Sequence, residues 1–347
     1  MNLFEPIQLK HLKLKNGFVR SATHDYLQKE DGLMSQAQQS VYEQLAKHQV
    51  GLIISGHLYV SKKGQASNDQ NGIDCDDILP RMKEVVEAVH QQGGCFIAQL
   101  AHAGAKARVE EPLGPSVLEL REGCPSKEMT KQDIEEVKVA FIEAAKRAKE
   151  AGFDGVQVHM AHGYLLSEFT TEMYNKRTDE YGGNRENRFR LPKEIILGIQ
   201  EACGSDYPIF VKINSNALMD DEAYEQDLIY YVKQFEAFGI EAVELSGCDF
   251  SSKKRSEHVY YLKRAQLLKT KVNVPLILVG GIRTLDDVKA VKEAGIDLVS
   301  LSRPFICEPD FVEKLQENQS SQCLSCNQCF GLYYRKGKRC VRHQSSV

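Results

Sequence analysis

No stretch of this 347-residue chain approaches the roughly 18 consecutive apolar residues that a membrane-spanning helix requires. The start, Met1-Asn2-Leu3-Phe4-Glu5-Pro6, lacks the basic region and apolar stretch of a cleaved secretion signal. Positive charge is not in excess: the formal net charge is -4, which offers no overall basic field to nucleic acid or an anionic membrane. These absences predict a soluble cytoplasmic protein with neither a nucleic-acid nor a membrane partner. At 42% hydrophobic and 27% charged residues the composition is that of a folded protein, long enough for one large barrel or two ordinary domains.

Ten cysteines are present. A large chain without a secretion signal keeps its thiols reduced, so disulfides are not expected. Six are scattered singly and read as small buried hydrophobes. Cys323, Cys326, Cys329 and Cys340 crowd near the C-terminus.

One local pattern recurs. An amphipathic helix ends in Gly, a polar residue or two follow, and a β-rich run begins. Lys149-Glu150-Ala151-Gly152-Phe153-Asp154-Gly155-Val156 matches Lys292-Glu293-Ala294-Gly295-Ile296-Asp297-Leu298-Val299, and looser versions surround Gly239, Gly93-Gly94 and Gly51. Gly suits the position just past a helix because it adopts positive φ without a Cβ clash. The pattern predicts strands at Phe18–Ser21, Leu52–Ser55, Cys95–Leu100, Gly155–His159, Ile209–Ile213, Ala242–Ser246, Leu276–Val279 and Leu298–Leu301. Helices are predicted over Gln36–His48, Leu79–Gln91, Thr130–Ala151, Asn187–Cys203, Tyr224–Phe238, Val259–Thr270, Leu285–Ala294 and Asp310–Gln316. Short apolar strands suit burial on both faces. Eight such alternations fit an α/β (β/α)8 TIM barrel over 1–315, ahead of an open doubly wound sheet. Residues 316–347 form a short Cys-rich extension. The long links, Ala101–Met129 and Met160–Glu186, run from strand to helix, the side on which barrels place their chemistry.

At that side, His159-Met160-Ala161-His162-Gly163-Tyr164 follows the fourth strand. Two imidazoles can polarise one carbonyl oxygen, and a tyrosine hydroxyl can supply a proton as general acid. A metal would need a third ligand, and no His or carboxylate stands nearby; the plain alternative is a solvated loop. Lys212 lies inside the apolar fifth strand, where a charge is costly unless it faces an anion or pairs with an internal carboxylate. Gln99 ends the third strand, where its amide could read the edge of a heterocycle. Val279-Gly280-Gly281-Ile282-Arg283 and Leu301-Ser302-Arg303-Pro304 follow strands seven and eight, the usual phosphate position in barrels. Arg303 would pair with phosphate oxygens.

Together these segments resemble the old yellow enzyme family along the chain to about residue 315. The matching motifs are Gln99-Leu100-Ala101-His102-Ala103-Gly104, Gly155 to Leu165, Asn175 to Gly183, Arg185 to Arg188, Gly280-Gly281 and Ser302-Arg303-Pro304. The resemblance implies FMN held by Ser21, Ala22, Thr23 and His24, by His57, by Gln99 at the pyrimidine edge and by Lys212 near N1 and O2. Its phosphate would be held by Gly280, Gly281, Ser302 and Arg303. It further implies that His159 and His162 grip a substrate carbonyl, that Tyr164 donates the proton, and that Tyr26 touches substrate. The implied reaction is ping-pong: hydride passes from NADH or NADPH through flavin N5 to the β-carbon of an α,β-unsaturated carbonyl. Lys212 in place of a frequent Arg, Ala22 for Pro, Ala105 for Arg and Ser302 for Gly resemble the branch of 2,4-dienoyl-CoA reductases and NADH:flavin oxidoreductases.

Cys323-Leu324-Ser325-Cys326-Asn327-Gln328-Cys329 with Cys340 offers four thiolates at ligand-like spacing, for a [4Fe–4S] cluster ahead of structural zinc, with free thiols as the alternative. The dienoyl-CoA reductases carry a cluster there with three residues between the second and third Cys, relaying electrons from an FAD domain. In this sequence no Gly-x-Gly-x-x-Gly follows, so a cluster would serve a separate electron donor or be a relic. Arg335, Lys336, Lys338, Arg339 and Arg342 read as a solvated basic end rather than a nucleic-acid finger. A homo-oligomer is compatible with all of this. Two other readings stay open: a lyase or isomerase using Lys212 as a Schiff base, and an FMN electron-transfer protein without alkene chemistry.

Overall fold

Helix-to-strand links of a few residues return the chain to the same end of the sheet each time, so consecutive strands must run parallel. In a computed structural model, which describes residues 2–27, 32–216, 222–330 and 340–342, they do so around a closed barrel. Its strands are β1 (Phe18–Arg20), β2 (Leu52–Ile54), β3 (Phe96–Ala101), β4 (Val156–Met160), β5 (Ile209–Asn214), β6 (Ala242–Ser246), β7 (Leu276–Val279) and β8 (Leu298–Leu301). Each pairs in parallel with the next, and β8 returns to β1 with Val299 opposite Phe18 and Leu301 opposite Arg20. The TIM barrel read from the sequence is therefore present, every strand within about a residue of its expected start.

The outer ring is α1 (Gln36–Lys47), α2 (Leu79–Gln91), α3 (Lys131–Glu150), α4 (Arg190–Cys203), α5 (Glu222–Ala237), α6 (Leu262–Lys269), α7 (Leu285–Glu293) and α8 (Phe311–Gln316). Local chemistry sets several starts. Ser35 with Gln38, Thr130 with Asp133, and Thr284 with Asp287 form reciprocal capping boxes that satisfy otherwise orphaned N–H groups. Two boundaries differ from the sequence expectation. The helix expected from Asn187 is split into Arg185–Arg188 and α4, and α6 begins at Leu262 rather than Val259. Val259 is held at φ 43° while Val259 N and Tyr260 N donate to Gly281 O and Gly280 O. A left-handed φ cannot continue into a right-handed helix, so α6 starts beyond Val259.

An N-terminal hairpin, Ile7–Gln8 with Lys13–Leu14, closes the bottom of the barrel. It is tied to the foot of β6 by His11 N and Leu12 N, which donate to Glu241 Oε1 at 2.8 and 3.1 Å. Among the described residues no helix is long and apolar enough to cross a membrane.

Candidate active site

The strands are apolar at the wall, but their inward positions towards the C-terminal ends carry Gln99 (β3), Gln157 and His159 (β4), Lys212 (β5), Glu244 (β6) and Ser300 (β8), all buried. Buried polar groups are tolerated only when paired, and these form one network. Lys212 Nζ donates to Ser21 Oγ at 2.7 Å and to Glu244 Oε2 at 3.1 Å. Ser300 Oγ donates to Glu244 Oε1 at 2.7 Å, Gln157 Nε2 to Glu244 Oε2 at 3.0 Å, and Gln99 Nε2 to Gln157 Oε1 at 2.7 Å. Burial penalises the Glu244 carboxylate. Lys212 and the hydrogen bonds from Ser300, Ser21 and Gln157 outweigh that penalty and hold it below the ordinary range. The internal carboxylate considered as a partner for Lys212 is thus Glu244.

At the end of β4 the backbone turns sharply. His162 at φ 61° and Gly163 at φ 67° are consecutive left-handed residues. His162 has a Cβ, so its conformation carries strain. The turn is braced by Asn214 Oδ1, which accepts from His162 N at 3.1 Å, and by Lys106 Nζ, which donates to His162 O at 2.8 Å. Tyr164 is thereby folded back beside His159, with ring centroids 5.0 Å apart, and the His159 and His162 rings lie 5.2 Å apart. His159 Nδ1 accepts from Ala161 N at 3.3 Å, which leaves the Nε2 proton as a donor. His162 Nε2 shares a 2.9 Å hydrogen bond with Ser246 Oγ. Burial, then the charges of neighbouring cationic groups, drives both imidazoles neutral: His159 well below its usual range and His162 down to about 3. Burial and Tyr26 push Tyr164 up to about 12. The pair and the tyrosine are therefore neutral donors across the physiological range.

The residues after β1 and β2 join this cluster. His24 stacks on Tyr26 at 4.0 Å and meets His57 edge-on at 5.0 Å, and His57 lies 5.7 Å from Tyr164. Thr23 Oγ1 and Ser302 Oγ are 2.8 Å apart. Ala22 is half-buried beside them. The loops after β7 and β8 enclose a cavity of about 30 Å³ lined by Gly280, Gly281, Ser302 and Arg303, with Gly281 at φ 75°. Arg303 here bonds Asn327 Oδ1 at 2.7 Å and packs against Tyr260 and Phe250. A larger cavity of about 560 Å³ opens beside His162, lined by Lys106, Gly163, Tyr174, Tyr224, Cys248 and Phe250.

Cys323, Cys326, Cys329 and Cys340 all border one cavity of about 20 Å³. Yet among the described residues no three His, Cys, Asp or Glu side chains are gathered closely enough to hold a metal ion. Cys340 also lies within hydrogen-bonding reach of Cys307. Of the basic end, Arg335, Lys336, Lys338 and Arg339 lie outside the described residues.

The sequence reading missed Glu244, Gln157 and Ser300. The signal for Glu244 was available, since a carboxylate inside Ala242-Val243-Glu244-Leu245 is as costly as the lysine inside β5. Gln157 and Ser300 carry no comparable mark.

The model of the NADH:flavin oxidoreductase / NADH oxidase family matches residues 2–322. An NADPH dehydrogenase of Geobacillus sp. (strain WCH70) is 35% identical over 312 residues, covering 88% of this chain and 91% of that protein. An NADH oxidase of Thermoanaerobacter brockii is 33% identical over 343 residues, covering 94% of this chain; the chain spans about half, 53%, of its length. The structure of an old yellow enzyme homologue from Zymomonas mobilis superposes with a TM-score of 0.79 at 26% identity, covering 91% of this chain and 93% of that one.

Proposed function

The chain belongs to the NADH:flavin oxidoreductase / NADH oxidase family, and on that premise we propose that it is an FMN-dependent ene-reductase, using NADH or NADPH to reduce activated C=C bonds of α,β-unsaturated carbonyl compounds. The observation that carries this reading is the convergence of His159, His162 and Tyr164 as neutral donors on one turn at the mouth.

The donor set fits FMN. A cation at Lys212 and an amide at Gln99 are joined through Glu244 and Gln157 at the base, and a small cavity between Gly280, Gly281, Ser302 and Arg303 offers backbone N–H groups and a guanidinium to a phosphate. Ser21, Ala22, Thr23, His24 and His57 would flank it on the β1 and β2 side. When bound, FMN would supply hydride transfer between nicotinamide and substrate. The protein's residues do the rest. His159 Nε2–H and the His162 imidazole donate to the substrate carbonyl oxygen and stabilise the negative charge that grows there. Ser246 orients the His162 ring. Tyr164, kept protonated by burial, delivers its phenolic proton to the α-carbon. The cavity beside His162 takes the remainder of the substrate, Tyr26 contacts it from the β1 side, and these walls limit water.

Two alternatives fare less well. A Schiff-base lysine must present a free nitrogen, whereas Lys212 Nζ is engaged by a carboxylate and a hydroxyl. An electron carrier would not need three donors aimed at one carbonyl. The test is anaerobic turnover of FMN-loaded protein with NADH or NADPH and cyclohex-2-enone. Stoichiometric cyclohexanone is expected, and protein that takes up FMN but leaves the alkene untouched would refute ene-reduction.

A further inference from the structure

The buried carboxylate of Glu244 is fully enclosed, with no exposed side-chain surface, and every group that touches its oxygens is a donor. Lys212 Nζ, Ser300 Oγ and Gln157 Nε2 donate at 3.1, 2.7 and 3.0 Å, and the Ser21 hydroxyl, itself accepting from Lys212, supplies a fourth hydrogen bond. An ionised carboxylate has about four lone-pair sites and donates nothing. Its saturation dictates the polarity of everything joined to it.

On one side that polarity runs through two amides. Gln157 must point its NH2 at Glu244, so its Oε1 faces Gln99. Gln99 must then donate Nε2 to Gln157, at 2.7 Å, and turn its own Oε1 away. Both flips are forced by the carboxylate rather than chosen, because either amide reversed would set two acceptors or two donors face to face. On the other side the same carboxylate anchors the Lys212 ammonium. The base of the site therefore shows an acceptor at Gln99 and a cation at Lys212.

We propose that Glu244 is a positioning residue that, through the Gln157–Gln99 relay and Lys212, fixes the base of the site to read an imide edge, a ring N–H beside a carbonyl oxygen. The inference rests on the FMN reading above, whose pyrimidine ring carries such an edge. Gln99 Oε1 takes the ring N–H and Lys212 takes the neighbouring oxygen. A heterocycle with an acceptor or a methyl group in place of that N–H meets an unpaired Gln99 oxygen.

The test compares the dissociation constants of FMN and N3-methyl-FMN for the full-length apoprotein, followed by quenching of flavin fluorescence. Wild type should prefer FMN by at least ~10-fold, the scale of an unmade buried hydrogen bond. In Glu244→Gln the new NH2 lets both amides reverse, and the preference should fall to within ~3-fold. The bulk of the methyl group is met equally in both proteins, so the change in the ratio reports polarity alone. Gln157→Leu, which cuts the relay but keeps the Lys212–Glu244 pair, should collapse the ratio in the same way and serves if Glu244→Gln does not fold. A ratio unchanged from wild type in either folded variant, even with both affinities weaker, would reduce Glu244 to a structural role and overturn the inference. Wild-type apoprotein that binds neither flavin would instead sink the FMN reading on which it stands.

Discussion

The mouth of the barrel and the cysteine segment both advertise themselves by reactive residues at suggestive spacing, and among the described residues the mouth is the one whose polar groups are locked into a hydrogen-bonded network. Around β4 to β6 each polar side chain has a partner that fixes its orientation: Ser246 on His162, Ala161 N on His159, Glu244 on Lys212 and Gln157. The four cysteines border a common cavity without forming a ligand set among the described residues. The difference lies in the scaffold. Strands held in register place residues far apart in sequence within hydrogen-bonding distance, whereas the cysteine segment meets the barrel through single contacts such as Asn327 with Arg303 and Ser251.

This contrast can be broken by substitution at either end. The largest effect is expected from Lys212→Met, which strands the Glu244 charge in the interior. It should lower unfolding stability by about 3–5 kcal/mol, read from the denaturant midpoint, and a loss below ~1 kcal/mol would mean the pair is not what holds the base together. Next come His159→Ala and His162→Ala. Each removes one donor from the carbonyl and should cut kcat/KM for cyclohex-2-enone by roughly 100- to 1,000-fold. With His162 at about 3 and Tyr164 at about 12, neither donor titrates between those limits. The alkene half-reaction should accordingly be flat with pH across the neutral range, and a step near the ordinary histidine value would contradict the buried, neutral pair. The smallest effect belongs to the other region. Cys323→Ser and Cys329→Ser should each change stability by less than ~1 kcal/mol and leave FMN affinity unaltered. Loss of FMN uptake, or of a stoichiometric metal found in wild type by elemental analysis, would abolish the contrast.

How much of this was legible beforehand follows the same division. The strands could be read because glycine after most helices and a short apolar run recur with little variation, as at Gly152 and Gly295. The His159-His162-Tyr164 turn could be read because its residues are neighbours in sequence. Glu244 could have been inferred from the cost of a charge in an apolar strand. Its role could not, because the partners Gln157, Lys212 and Ser300 come from three other strands and meet only through the barrel's register. The start of α6 was misplaced for a similar reason: Val259 and Tyr260 are claimed by the glycine loop after β7, a contact with no local signature.

The most direct test of the account separates the two half-reactions of Tyr164→Phe by rapid mixing under anaerobic conditions. Transfer to the alkene should slow by ~100-fold or more, the scale of a lost general acid, while reduction by NADH or NADPH keeps its rate within about twofold. Equal loss in both half-reactions, or none in either, would remove Tyr164 from the proton-donor role and with it the chemistry assigned to the mouth.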